Sequence, residues 1–201
     1  MNAVLGYAVL LFAGWASGIS LYLTAALLGI AGRAYWIQLP GNLDVLSHPL
    51  LIALALVCFA VEFVADKVPF VDSLWDTVHT FVRPVGAAAV GYLAGSDLGP
   101  MAETGFALFC GTLALNTHLT KAATRAAVNT SPEPFSNIAV STVEQSAVGF
   151  VFWVFLTHPL IAVALIVLIL IGSFFLLRAL WSFVRGIFRL GRPAPAAPVE
   201  S

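Results

Sequence analysis

From Leu160 to Leu177 the chain runs for eighteen residues without one charged side chain. At about 1.5 Å per residue, a helix of that length reaches about 27 Å, close to the thickness of a bilayer's hydrocarbon core. Lipid offers no partners to backbone N–H and C=O groups, so such a run has to be helical if it crosses. The rest of the sequence agrees. Hydrophobic residues make up 60% and charged residues 9% of the chain, where a soluble domain carries about a quarter charged. The sequence therefore predicts an all-α, polytopic membrane protein with about six transmembrane helices and the lipid bilayer as its main partner. A net charge of −1 gives no case for nucleic acid. Cys58 and Cys110 sit inside apolar runs and read as small core residues.

The first helix is expected over about Ala3–Gly32, a spanning segment and not a cleaved signal, because no basic region precedes Leu5. Gly14 and Gly18 on it form a small-xxx-small pair that admits a neighbouring backbone; a break near Gly18 lining a site is the second reading. Ser47-His48-Pro49 opens the second helix, with Ser47 as N-cap, and that helix closes at Glu62, Asp66 and Lys67. The third starts near Val71, is kinked at Pro84 and carries a second close-packing pair, Gly91 and Gly95. A fourth is expected over about Met101–Asn129, a fifth over Ile138–Leu156 and a sixth from Pro159 to about Arg189. Residues 1–190 then form one transmembrane domain, and 191–201 a disordered cytoplasmic tail.

Arg178, Arg185, Arg189 and Arg192 place the C-terminal end in the cytoplasm, and an even number of spans places the N-terminus there too. Ile19–Ala26 aligns with Leu115–Ala122 through a shared Leu-Thr-x-Ala. Two inverted three-helix units, 1–97 and 98–190, are one reading of that match; chance is the other.

Against this greasy background Asp72, Asp76, His79 and Arg83 follow at steps of four, three and four, which puts all four on one helical face. Counting about 1.5 Å per residue from the cytoplasmic end, Asp76, His79, Glu62, Glu144, His118 and Lys121 fall in one layer about 8–16 Å deep, with Arg83 near mid-membrane. Asn116 and Thr120 occupy the same helix as His118 and Lys121. Charges at that depth cost about 2.5–3.5 kcal/mol each on insertion scales, so they are expected to converge on one another or on water. Asp72, Asp66, Arg125 and Glu133 are expected at the mouth, with Asp72 solvated.

Three chemistries fit. Carboxylates and an imidazole suit a divalent metal ion, with Asp76, His79 and Glu144 as ligands, or proton transfer. Arg83, Lys121 and Arg125 suit an anion or lipid headgroup. Asp76–Arg83 and Glu144–Lys121 could instead be ion pairs that fix helix register. Enzymatic chemistry is not expected, since no Ser-His, paired-Asp or His-Glu-x-x-His pattern appears.

The run from Glu62 to Arg83-Pro84, with Lys121-x-x-x-Arg125 and Ser131-Pro132-Glu133-Pro134-Phe135-Ser136-Asn137, resembles a bacterial membrane family, domain of unknown function 4126. The resemblance implies a multi-helix protein of the bacterial inner membrane and brings no activity. The expectation is a small transporter or channel-like protein with a cation-binding cavity in its cytoplasmic half. The Gly91/Gly95 face would serve a homo-oligomer.

Overall fold

The structure is a computed structural model that describes residues 3–128 and 134–190. Regular structure among them is helical: α1 (Ala3–Ile19), α2 (Leu21–Arg33), α3 (Pro49–Ala65), α4 (Pro69–Ala94), α5 (Pro100–Val128), α6 (Pro134–Thr157) and α7 (Pro159–Leu190), with 3-10 turns at Gly41–Ser47 and Ser96–Leu98.

α4 and α5 form an antiparallel hairpin. As positions climb along α4 from Thr80 through Pro84 and Gly91 to Gly95, their partners on α5 fall from His118 through Gly111 and Phe106 to Glu103. A side chain at Gly91 would overlap the carbonyl of Phe106, so the glycine lets the two backbones touch. The Gly91/Gly95 face is thus taken by α5 of the same chain, which removes the surface expected for a second copy. α1 runs parallel to α5: Leu10 accepts from the Cys110 thiol at 3.5 Å, Gly14 lies on Cys110, and Gly18 lies on Ala114 and Thr117. Further along, Phe12 stacks on Phe155 at 5.7 Å between ring centroids. With Trp15, Val148 and Ile166 this forms the apolar core between α1, α6 and α7.

Several expectations change. The first helix is two helices, broken at Ser20, whose backbone is extended (φ −151°, ψ 102°) and whose hydroxyl caps α2 by accepting from Leu23 N at 3.3 Å. His48 and not Ser47 caps α3, its Nδ1 accepting from Leu50 N at 3.3 Å. As expected, α4 runs on past Pro84, to Ala94. The aligned repeat segments differ locally, since Ser20 interrupts a helix while Asn116 lies inside the unbroken α5.

Among the described residues two helical segments, Phe135–Thr157 and Pro159–Ser182, are long and apolar enough to cross a membrane, or three if the bent pair Gly41–Ser47 and Pro49–Ala65 is one span. This is a membrane protein, yet six spans are not reached on length and apolarity alone. The break leaves α2 with 13 residues, about 20 Å. α4 and α5 have length enough but carry the chain's charged stripes.

Candidate functional site

α4 is amphipathic in the sense that lipid requires. Asp72, Asp76, His79 and Arg83 are 0–5% exposed, whereas Leu74, Val78 and Phe81 on the other side are 53–76% exposed. A helix at a water-facing surface would show the reverse. α3 offers Glu62 and Asp66, one turn apart, to the same interior, and α5 offers His118, Lys121 and Arg125 from successive turns.

The innermost group centres on Arg83. Its guanidinium donates to Glu62 Oε1 at 2.8 Å, to Asp76 Oδ1 at 3.2 Å and to His118 Nδ1 at 2.6 Å. With Nδ1 accepting, the ring proton of His118 sits on Nε2, which donates to the Asp76 carbonyl at 3.1 Å. The outer group is built on Lys121 and Arg125. Lys121 Nζ lies 2.7 Å from Asp66 Oδ2 and 3.9 Å from Glu144. Arg125 lies 2.7 Å from Glu144, 3.6 Å from Asp72 and 3.8 Å from Asp66, and also donates to Asn137 Oδ1 at 2.5 Å. At the rim, Lys67 holds its ammonium over the Phe63 ring and donates to Ser141 Oγ at 3.4 Å. Burial pushes its pKa down, and the charges of Arg125 and Lys121 add to this against the opposing pull of Asp66.

The broken helix closes the site. A helix end leaves carbonyls without intrahelical partners and carries a partial negative charge. At the end of α1, Gly18 O accepts from Arg83 at 3.4 Å and Ile19 O accepts from Lys121 at 3.3 Å. At the start of α2, the Ser20 hydroxyl donates to Glu62 Oε2. Each half-helix thus turns an end toward charge of the opposite sign, a device that allows non-helical backbone at membrane depth. Ser20→Ala removes both the cap and the donor to Glu62. A loss of about 1–2 kcal/mol of stability is expected, read as an earlier unfolding transition in detergent.

Between the two groups the carboxylates of Asp66, Asp72 and Asp76 each present an oxygen within 4.8 Å of the others, and all three residues are buried. Asp66 Oδ1 and Asp76 Oδ2 have no hydrogen-bond partner among the described residues. Five carboxylates (Glu62, Asp66, Asp72, Asp76, Glu144) face three cations (Arg83, Lys121, Arg125) in this network, an excess of two negative charges before Lys67 at the rim.

The sequence-derived site is partly reassembled. Glu62, Asp76, Arg83, His118, Lys121 and Glu144 do meet, and both expected ion pairs form. The expected open chamber is instead a packed ionic network, with Glu62, Arg83 and His118 0% exposed. Asp66 and Arg125, placed at the mouth by sequence, lie inside at 1% exposure, and Asp72 is buried and not solvated. The ligand set Asp76, His79 and Glu144 does not gather; Asp66 and Asp72 join Asp76. His79 is held elsewhere, donating from Nδ1 to Trp75 O at 2.8 Å and meeting the Tyr22 hydroxyl at 3.3 Å, and Glu144 is engaged by Arg125. Arg83, Lys121 and Arg125, the residues expected for an anion, each have a carboxylate within 4.0 Å. Thr120 bonds to Asn116 O of its own helix at 2.9 Å, and Asn116 lines a groove against α7. Glu133 lies outside the described residues. Sequence reasoning missed the roles of Ser20, the carbonyls of Gly18 and Ile19, and Asn137. For Asn137 the only signal was its place closing the Pro-rich loop.

A family model described as Domain of unknown function (DUF4126) matches residues 8–179. No curated protein and no solved structure matches the chain.

Proposed function

The chain belongs to that family, whose description assigns no activity, and we propose from the geometry that it is a small transporter or channel-like protein that binds a cation at Asp66, Asp72 and Asp76. The observation that carries the reading is the buried three-carboxylate group with unsatisfied oxygens on Asp66 and Asp76. Buried carboxylate oxygens are costly without a partner, and an all-oxygen set suits hard divalent ions of the magnesium, calcium and manganese class. A cation entering here competes with Lys121 for Asp66. Glu144, 16% exposed and 3.9 Å from Lys121, is placed to receive the displaced ammonium. Lys121 stays within the network in that exchange, so an entering divalent ion would offset the formal excess of two negative charges among these side chains. In this reading the protein lies in a bacterial inner membrane with the Arg178–Arg185 end of α7 in the cytoplasm.

A second reading is favoured by one observation: every basic side chain of the network has a carboxylate within 4.0 Å. The charges would then only lock helix register, as buried polar groups can. Thermal unfolding of the purified protein with magnesium, calcium or manganese separates the two. Cation binding is expected to stabilise the wild type, by about 2.7 kcal/mol at a hundredfold excess over Kd, and to leave Asp76→Asn unmoved. No stabilisation of the wild type by any of the three ions, with no cation flux in proteoliposomes, leaves the register reading.

A further inference from the structure

The last turns of α7 carry a feature that the ionic network does not use. Phe174, Arg178, Trp181, Ser182 and Arg185 recur at helical spacing, so they share one face, and with Asn116 of α5 they enclose a groove of about 850 Å³. Arg185 lies over the Trp181 ring, 5.0 Å from its centroid. Arg178 and Arg185 have no carboxylate within 4.0 Å among the described residues, whereas Arg83, Lys121 and Arg125 each have one. Among the described residues these two arginines are therefore positive charges without a carboxylate beside them.

The groove also changes character along its length. The charge-free run of α7 ends at Leu177, inside it, so its Phe174 end suits acyl chains and its arginine end suits headgroups. Phe174, 57% exposed, lines the apolar part, while the guanidiniums and the Ser182 hydroxyl supply donors at the other. Guanidinium forks match phosphate oxygens in pairs, and tryptophan favours the same interfacial depth.

We infer that the α5–α7 groove binds an anionic phospholipid, with its phosphate at Arg178 and Arg185 and an acyl chain along Phe174. A zwitterionic lipid would leave the arginines uncompensated, and free phosphate would leave the apolar part uncovered. The site is independent of the aspartate group, and its test needs no cation.

The experiment is native mass spectrometry of the detergent-purified protein with phosphatidylglycerol and phosphatidylcholine in equal amounts. Retention of phosphatidylglycerol at least tenfold above phosphatidylcholine is expected. Arg178→Gln/Arg185→Gln should bring the two lipids to parity, and Arg33→Gln, an exposed arginine outside the groove, should change nothing. Equal retention of both lipids by the wild type overturns the assignment, as does a preference that survives the double substitution. Displacement of the lipid by millimolar inorganic phosphate would also overturn it in favour of a plain anion site. If the double variant does not fold, Ser182→Phe, which fills the groove, should lose the bound phosphatidylglycerol; retained binding there counts against the proposal.

Discussion

Arg83→Met is expected to cost about 3–5 kcal/mol of stability, the range for removing one partner of a buried ion pair. The guanidinium is 0% exposed and is shared by Glu62, Asp76, His118 Nδ1 and the Gly18 carbonyl. Methionine fills much of the same volume, so the loss measures uncompensated charge more than a cavity. Adding Glu62→Gln to Arg83→Met removes one of the stranded charges and should recover part of the loss, so that the two substitutions are far from additive. Equilibrium unfolding in detergent of the wild type, both single variants and the double variant tests this. Additive losses would show that Arg83 is not the centre of the inner group.

The same residues show how far the sequence alone could lead. The stripe on α4 was legible because its spacing follows the helical period and because lipid forbids an unpartnered charge. Its partners on α3, α5 and α6 followed from depth. Sequence reasoning failed where a tertiary contact decides between equivalent local patterns. Gly14 and Gly18 read first as a packing face and second as a break; they pack on α5 and the helix still breaks at Ser20, whose hydroxyl meets Glu62, 42 residues away. Asp66 sits at the end of α3, where exposure is the ordinary expectation. Instead Asn137 donates to its carbonyl at 3.2 Å and Lys121 holds its carboxylate, drawing the helix end inside. His79 obeys the stripe's spacing, but a ring stacked on Trp75 at 4.4 Å and bonded to its own helix is not free to join the aspartates. Periodicity gives the face; it does not say what each side chain on that face holds.

Gly18→Val tests whether packing and site are one device, and its effect should rival that of Arg83→Met. A Cβ at Gly18 would overlap the carbonyl oxygen of Ala114 and stand 2.6 Å from Thr117 Cβ and 3.0 Å from the His118 backbone nitrogen. Two of those three neighbours are backbone atoms of α5, which cannot rotate away, so α1 must lift off α5. The cost of overpacking is typically about 1–3 kcal/mol, and the upper end is expected here. Lifting α1 also carries the Gly18 carbonyl away from Arg83 and the Ile19 carbonyl away from Lys121, loosening both groups of the network at once. Gly105→Val is the matched control: it makes the same substitution inside a helix, and a Cβ there meets nothing within 4 Å. Unfolding of the two variants in detergent should differ by about 2–3 kcal/mol, since helix propensity and β-branching are common to both. Binding at the aspartate group should weaken in Gly18→Val alone, although no residue of that group has been altered. Equal behaviour of the two variants would mean that α1 does not rest on α5 at Gly18, and the half-helix ends would then have no fixed place beside Arg83 and Lys121.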